Sequence, residues 1–304
     1  MSFCNQWINM ITVFTPTYNR GHFLLELYRS LEAQTSKNFE WLVVDDGSSD
    51  DTSNVLKALS LKASFPIRYY YKENGGKHTA INIGVKEAKG DLFFIVDSDD
   101  CLPPTSLETL QKYYSQIEYD DNFVGVGGLI AHRNGEQVSQ GIHQVTNAMT
   151  IEMMYKFKTH GDFAEAYKTS MMRQCPFPEI RGERFCPEVL VWNRLTQRRK
   201  VRFFPEVIYY RDYLGGGLTD NIVRIRMNSP VCSMMTYQEL TLRPIPLIYK
   251  FRNAINYWRF RCCYHPKNSS VAPSDIPHLK CWLNIVRPLG WLLHLKDRKT
   301  VYGK

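Results

Sequence analysis

The stretch Gly90-Asp91-Leu92-Phe93-Phe94-Ile95-Val96-Asp97-Ser98-Asp99-Asp100 decides how the rest of the chain is interpreted. Five consecutive apolar residues follow the Gly-Asp pair, and three carboxylates come within the next four positions. A short run of Leu, Phe, Ile and Val predicts a buried strand in a sheet covered on both faces. The acids then lie at the carboxyl end of the strand, where open α/β sheets bind ligands. Carboxylate oxygens are suitable ligands for a hard divalent cation such as Mg²⁺ or Mn²⁺. The alternative interpretation is that these acids form a turn exposed to solvent.

The composition is that of a folded chain. Its 304 residues are 44% hydrophobic and 13% aromatic, enough for the core of one large or two small domains. No apolar run approaches the ~20 residues that span a bilayer, and the first ten residues lack the pattern of a secretory signal. The eight cysteines include no Cys-x-x-Cys pair. We therefore expect reduced thiols in a cytoplasmic protein, without a zinc site or a disulfide framework.

Strand and helix patterns alternate through the first hundred residues. Strands are predicted at 11–15, 39–44, 67–71 and 92–96, and helices at about 23–34, from the cap at Ser49 or Asp50 through Leu59, and at 78–88. This alternation predicts a parallel, doubly wound sheet with right-handed crossovers. The loops after Thr15, Val44 and Val96 should therefore share one edge of that sheet.

The second half of the chain has weaker patterns. A strand is predicted at 123–131, followed by an Asn-Gly hairpin turn at 134–135. Residues 150–173 are expected to be mostly helical, 188–199 helical, and 201–204 and 207–210 extended. The glycine-rich segment 212–219 is either a loop that closes over a ligand or a plain solvent loop.

Four sequence blocks occur in a fixed order. They are Thr15-Pro16-Thr17-Tyr18-Asn19-Arg20, then Val43-Val44-Asp45-Asp46-Gly47-Ser48-Ser49-Asp50-Asp51-Thr52, then Asn82-x-Gly84-x-x-x-Ala88-x-Gly90, then Asp97-Ser98-Asp99-Asp100. This order closely resembles the family 2 glycosyltransferases of the bacterial surface-polysaccharide type, which are inverting enzymes with the GT-A fold. The resemblance is strong over residues 10–105, is legible to about Thr219 and does not cover the tail.

The resemblance implies an α/β architecture, the GT-A nucleotide-sugar-transferase fold, with a doubly wound, mostly parallel central sheet. Residues 1–220 would form the glycosyltransferase domain. Its nucleotide-binding half would cover about 10–105 and its acceptor half about 106–220. Residues 221–304 would form a helical, basic and amphipathic C-terminal region.

The resemblance also implies nucleotide-binding residues. The turn from Pro16 to Tyr18 would lie along uracil, and Asp46 would accept hydrogen bonds from the base. Lys77, His78 and Asn82 would approach the nucleotide or its phosphates. A lysine after two glycines at a helix start suits an anion. The alternatives are a plain strand-to-helix turn at Asp46, a solvated lysine and a core-facing asparagine.

Asp97, Asp99 and Asp100 match the metal cluster of the family. The resemblance implies a divalent ion that bridges the diphosphate and stabilises the departing nucleotide diphosphate. We expect Asp99 to be the closest ligand. Asp97 or Asp100 would contact the ribose or complete the coordination shell.

An inverting transfer needs a general base for the acceptor hydroxyl. By resemblance Glu188 takes this position, with Arg194 at the family's spacing. Pro187 departs from the family, which has an acid there. A proline and an acid at a helix start also suit plain capping, and Glu183 is the alternative base.

The tail carries the positive charge. Residues 246–304 contain eleven Lys and Arg against two Asp, a net of +9, while the whole chain has +8. In the predicted helix at 247–262, one face presents Leu247, Phe251, Ile255, Trp258 and Cys262. A second apolar segment covers 280–295. Basic amphipathic segments with Trp suit an anionic membrane surface, and the alternative is that they pack on the transferase domain.

Together these features predict a metal-dependent, inverting glycosyltransferase that uses a nucleotide-diphosphate sugar, with a UDP sugar as the expected donor. The acceptor would be a saccharide or lipid-linked oligosaccharide of surface-polysaccharide synthesis, at the cytoplasmic face of the plasma membrane. The chain lacks the Gln-x-x-Arg-Trp motif of processive synthases, so we expect one sugar per encounter. No nucleic-acid partner is expected. The rival interpretations are a non-catalytic sugar- or lipid-binding protein on a degenerate GT-A domain and a nucleotidyltransferase, whose glycine-rich basic loop does not occur at 16–21.

Overall fold

The computed structural model describes residues 9–211 and 221–303, and these form two compact units. Residues 9–176 and 193–211 belong to the first unit, and residues 177–192 and 221–303 to the second. The segment 177–192 thus groups with the C-terminal residues. A single domain boundary near residue 220 stays a prediction. The glycine-rich segment 212–219 lies outside the described residues.

One mixed sheet organises the first unit, in the order β3-β2-β1-β4-β7-β5-β8-β6. Its strands are β1 (Ile11–Thr17), β2 (Phe39–Asp45), β3 (Ile67–Tyr71), β4 (Leu92–Ile95), β5 (Phe123–Ala131), β6 (Thr146–Ala148), β7 (Phe163–Lys168) and β8 (Lys200–Tyr210). The first four strands are parallel, as predicted. β1, β2 and β5 are buried along their whole length, as expected for strands of a sheet that is covered on both faces.

The prediction of a mostly helical segment at 150–173 is wrong. The structure has two short helices there, separated by β7, which pairs antiparallel with both β4 and β5. The β7 sequence Phe-Ala-Glu-Ala-Tyr-Lys contains good helix formers, but it lies in the middle of the sheet. Its neighbour Gly125 leaves no room for a side chain, since an added Cβ would lie 2.2 Å from the carbonyl oxygen of Ala166. Tertiary packing therefore overrides local propensity here.

Eleven helices occur in the described residues. They are α1 (Leu24–Glu32), α2 (Thr52–Ser60), α3 (Lys77–Glu87), α4 (Ser106–Tyr114), α5 (Thr150–Tyr155), α6 (Thr169–Gln174), α7 (Glu188–Leu195), α8 (Ile222–Met227), α9 (Pro230–Leu242), α10 (Leu247–Arg261) and α11 (Arg287–Tyr302). Short 3₁₀ segments cover Gly21–Phe23, Pro266–Asn268, Pro273–Asp275 and Cys281–Val286. No described helix is long and apolar enough to cross a membrane.

The glycine of the Asn-x-Gly block, Gly84, is explained by close packing between α3 and the sheet. Gly84 lies on α3 against the Phe14 ring of β1, and an added Cβ would come within 2.2 Å of that ring. Phe14 in turn stacks on Phe93 of β4, with ring centroids 4.9 Å apart. The glycine therefore lets α3 approach the sheet closely, and this positions the amino-terminal end of the helix at the carboxyl edge of the strands.

The second unit has its own core, formed mainly by α9, α10 and the residues that follow them. The face predicted for α10 is covered in part within this unit. Gly290 of α11 lies against Trp258 and Ile255, and Phe251 meets Trp282 edge to face with ring centroids 5.5 Å apart. The fully buried residues of α10 are Asn253, Ala254, Tyr257 and Phe260. Most of the predicted α10 face is thus half-buried within this unit, while Leu247 at its start is 57% exposed, and a membrane contact of this helix stays a prediction.

Candidate active site

The acidic turn after β4 lies at the edge of the sheet where β1 and β2 also end. Phe14 pairs with Ile95 and Thr17 pairs with Asp45, so the three strands finish side by side. The prediction that their loops share one edge is confirmed. The loops are also joined directly, since the Asn19 side chain accepts a hydrogen bond from the Ser49 backbone N–H at 2.8 Å. Asn19 has a φ of 52°, in the left-handed region that asparagine tolerates.

Asp97, the first carboxylate of this turn, is paired with Lys77. The Lys77 ammonium lies 2.7 Å from one Asp97 oxygen and 3.0 Å from the other. Burial would raise the pKa of Asp97, but the nearby positive charges, Lys77 first among them, lower it overall. Lys77 is the first residue of α3 and follows Gly76, whose φ of 97° suits glycine. The structure thus brings two of the predicted site residues together.

Asp99 is paired with a residue that the sequence analysis did not single out. Its carboxylate lies 2.5 Å from the Arg20 guanidinium, at the end of the block that follows β1. Arg20 and Lys77 therefore place two cations beside the acidic turn, from two different loops. Both side chains suit the phosphates of a nucleotide, because Lys and Arg donate charge-assisted hydrogen bonds to phosphate oxygens.

Asp100 is the most deeply buried of the three acids, and its carboxylate is hydrogen-bonded to Tyr209 of β8. The Tyr209 hydroxyl donates to Asp100 at 2.6 Å and accepts from the Asp97 backbone N–H at 3.0 Å. Burial first, and then the negative charge of Asp97, raise the pKa of Asp100 to about 7. Arg211 opposes this rise, 4.0 Å from the Asp100 carboxylate. Sequence reasoning missed Tyr209 and Arg211, because they lie more than a hundred residues from the acidic turn.

Asp46 is buried beneath the loop that precedes α3. One carboxylate oxygen accepts from the Lys72 ammonium at 2.6 Å and the Gly75 N–H at 2.9 Å. The other accepts from the Gly76 N–H at 2.7 Å and the Asn74 amide at 3.2 Å. Four donors fill the roughly four lone-pair positions of a carboxylate. Asp46 therefore organises this loop, and a nucleotide base would have to replace one of these donors to bind it.

The remaining predicted nucleotide-binding residues lie around the same edge. Pro16 lies within β1 and pairs with Val44, while the Tyr18 side chain is 49% exposed. Tyr18 thus presents a ring to solvent at the end of the strand. His78 is buried in the first turn of α3, and Asn82 is half-buried one turn further on. Their nucleotide contacts stay predictions.

The residues of the acidic turn have the right chemistry for a divalent cation. Within residues 9–211 and 221–303, however, no three His, Cys, Asp or Glu side chains are grouped to hold a metal. Mg²⁺ is usually bound through one or two carboxylates together with substrate phosphates, so a complete protein cage is not required. Burial first, and then the negative charge of Asp97, raise the pKa of Asp100, and a cation bound beside these carboxylates would favour their charged forms. The donor set therefore fits a cation shared with a diphosphate.

The two candidate bases belong to the second unit and differ in their surroundings. Glu183 is buried, and its carboxylate oxygens accept from the backbone N–H groups of Val231 and Cys232 at 2.7 and 2.9 Å. These groups lie at the amino-terminal end of α9, so Glu183 anchors a helix. Glu188 is the half-buried first residue of α7. Glu183 is therefore committed to α9, and the role of Glu188 as general base stays a prediction.

The family assignment follows from comparison with known proteins. The model of the family described as "Glycosyl transferase family 2" matches residues 12–179, more than half of the 304 residues. The chain belongs to this family. The match begins in β1, includes all four sequence blocks and ends just beyond α6, so it contains the whole acidic edge of the sheet.

Curated relatives agree with this assignment over part of their length. Glycosyltransferase GlyG of Streptococcus pneumoniae is 37% identical over 119 residues, which are 39% of this chain and 38% of GlyG. Glycosyltransferase GlyA of the same organism is 28% identical over 181 residues, 55% of this chain and 25% of GlyA. The matched part of the chain thus spans well under half of either relative.

Solved structures confirm the fold. Residues 1–349 of S. aureus TarS in complex with UDP superpose with a TM-score of 0.59 at 18% identity, over 97% of this chain and 92% of that one. The mannosyltransferase PcManGT of Pyrobaculum calidifontis, in complex with GDP-Man and Mn²⁺, gives 0.55 at 15% identity, over 97% and 87%. The predicted GT-A architecture, with a helical C-terminal region, is therefore confirmed.

Proposed function

We propose that this chain is a metal-dependent, inverting glycosyltransferase that moves a sugar from a nucleotide-diphosphate sugar to a hydroxyl group of an acceptor. The observation that carries the proposal is the acidic turn at the shared strand edge, where Asp97 and Asp99 are each paired with a cation from a neighbouring loop. Paired acids and cations at this edge suit a ligand that brings both phosphates and a divalent ion.

Lys77 and Arg20 have the task of binding the diphosphate. Their side chains form ion pairs with Asp97 and Asp99. With the donor bound, the same donors would turn to phosphate oxygens, while Asp99 and one further acid would hold the divalent cation. That cation, when bound, would neutralise charge on the departing nucleotide diphosphate. The Tyr209 hydroxyl keeps the acidic turn in place by its two hydrogen bonds.

The expected donor is a UDP sugar. TarS is described in complex with UDP and with UDP-GlcNAc, while PcManGT is described with GDP-Man, so the fold alone accepts more than one nucleotide. In this chain, the exposed Tyr18 ring beside Pro16 offers a surface on which a base can stack. Asp46 supports the loop before α3 by accepting from the Gly75 and Gly76 N–H groups.

Glu188 is the proposed general base. Its carboxylate would take the proton of the acceptor hydroxyl as the bond to the sugar forms and the bond to the diphosphate breaks on the opposite face. The Glu183 carboxylate already accepts hydrogen bonds from two backbone N–H groups at the amino-terminal end of α9. The absence of the processive motif from the sequence supports a single transfer per encounter.

We further propose that the acceptor is a saccharide or lipid-linked oligosaccharide of surface-polysaccharide synthesis, used at the cytoplasmic face of the plasma membrane. The basic C-terminal region supports this location, because anionic lipids attract Lys and Arg near a membrane surface.

Calorimetric titration with UDP and GDP, each with and without Mn²⁺, tests the donor site. We expect UDP to bind more tightly than GDP and only in the presence of the metal, and Asp99→Asn to abolish this binding. Asp91→Asn is the matched control, because Asp91 lies at the opposite end of the same strand. Metal-independent binding, or full binding by Asp99→Asn, would refute the metal assignment. If no nucleotide binds, the non-catalytic interpretation is correct instead.

A further inference from the structure

The solvent face of the last helix is apolar. Seven large side chains in the 3₁₀ segment Cys281–Val286 and in α11 are each between 36% and 78% exposed. We call them the α11 face: Trp282, Ile285, Leu289, Trp291, Leu292, Leu293 and Leu295. Exposed apolar side chains are common singly, but a contiguous group on one helix marks an interaction site.

The orientation of α11 is determined by a narrow inner stripe. Gly290 lies so close to α10 that an added Cβ would be 2.4 Å from the Trp258 Cβ. One turn further along, the buried His294 lies near Cys263, with 3.4 Å between Sγ and Nδ1. Asp297 is buried and forms an ion pair with Arg259 of α10. Because these contacts hold one side of the helix against α10, the leucines and Trp291 of the α11 face point away from the core of their unit, while the half-exposed Trp282 also meets Phe251 of α10 with one edge.

The charges around this face have a single sign. Asp297 is the one acid between residues 280 and 300, and its pairing with Arg259 removes it from the surface. The exposed charged side chains in this range are all basic: Lys280, Arg287, Lys296, Arg298 and Lys299. A partner that covers the face therefore meets apolar groups and positive charge together.

We propose that the α11 face binds the surface of an anionic lipid bilayer. Apolar side chains with two Trp suit the boundary between headgroups and acyl chains, and the surrounding cations suit anionic headgroups. A protein surface would need matching acids around an apolar centre, whereas a bilayer supplies both features without a specific shape. The α11 face would be the surface that contacts the membrane at the location proposed above. This proposal rests on the membrane location in the proposed function and is independent of sugar transfer.

Co-sedimentation of the full chain with vesicles tests the proposal. We expect binding to phosphatidylcholine vesicles that contain phosphatidylglycerol, and much weaker binding to phosphatidylcholine alone. Ile285→Glu combined with Leu292→Glu should lower the affinity at least tenfold. Leu61→Glu is the control, because Leu61 is an exposed leucine of the other unit. Lys296→Glu combined with Lys299→Glu should also lower the affinity about tenfold or more, since each cation contributes to attraction.

Three results would overturn the inference. The first is equal binding to neutral and anionic vesicles, and the second is unchanged binding by the Ile285→Glu, Leu292→Glu variant. The third is that the unaltered chain binds no vesicles but forms a dimer in sedimentation velocity, and that this variant is monomeric. The last result would assign the face to a second copy of the chain. Calorimetric UDP binding by the same variant should equal that of the unaltered chain, so a failure of the donor site is recognised separately.

Discussion

Replacing Asp100 with asparagine should make the protein more stable at pH 8. The pKa of Asp100 is raised to about 7, first by burial and then by the charge of Asp97. In the unfolded chain the ordinary value is 3.8. The folded protein therefore binds this proton more tightly than the unfolded chain does, and the associated stability, fully present below pH 3.8, is lost as the pH rises through about 7.

The size of the effect follows from these two values. A difference of about three pKa units, at 1.36 kcal/mol each, corresponds to about 4 kcal/mol as an upper limit. Asparagine has no charge at any pH, and its amide oxygen can still accept from the Tyr209 hydroxyl. The variant should therefore match the unaltered protein at pH 4.5 within about 1 kcal/mol and exceed it by about 2–4 kcal/mol at pH 8.

Urea unfolding at a series of pH values, in EDTA and without nucleotide, measures this difference. The exposed Asp51, replaced by asparagine, is the control and should change the free energy of unfolding by less than about 1 kcal/mol at either pH. A difference between Asp100→Asn and the unaltered protein that stays constant across the series, or a variant less stable at pH 8, would refute the reasoning.

Two further predictions concern packing and the rejected base. Gly84→Ala should destabilise the protein by about 1–2 kcal/mol in urea unfolding, because the steric clash with the Phe14 ring outweighs the gain of about 1 kcal/mol in helix propensity. The control Lys86→Ala, on the same helix, should leave the free energy of unfolding nearly unchanged. Equal stabilities for both variants would contradict the packing argument. Glu183→Gln should cost about 1–3 kcal/mol, because the amide NH₂ group replaces one of the two accepting oxygens and would face a backbone N–H donor at the start of α9. It should leave transfer measurable at a permissive temperature, and complete loss of transfer by the folded variant would restore Glu183 as the base.

The sequence by itself determined the first half of the sheet, the placement of three acids at a strand end and the family. These features are local. Strands read as short apolar runs, helices show their own period, and parallel strands place their carboxyl ends together whatever the details of packing. The four sequence blocks lie within about ninety residues, so their order is visible without a structure.

The tertiary structure decided the features that depend on distant residues. β7 is a strand because it pairs with β4 on one side and with β5 on the other, although its residues favour a helix. Asp100 has its raised pKa because the fold buries it and places the negative charge of Asp97 beside it, and the hydrogen bond from Tyr209 of β8 and the charge of Arg211 only partly offset this rise. Which side of the tail faces solvent also depended on packing, since the apolar stripes of α10 and α11 look alike in sequence. The side of α11 that carries Gly290, His294 and Asp297 packs against α10 and leaves the apolar side chains of this helix exposed, and only contacts between helices decide this.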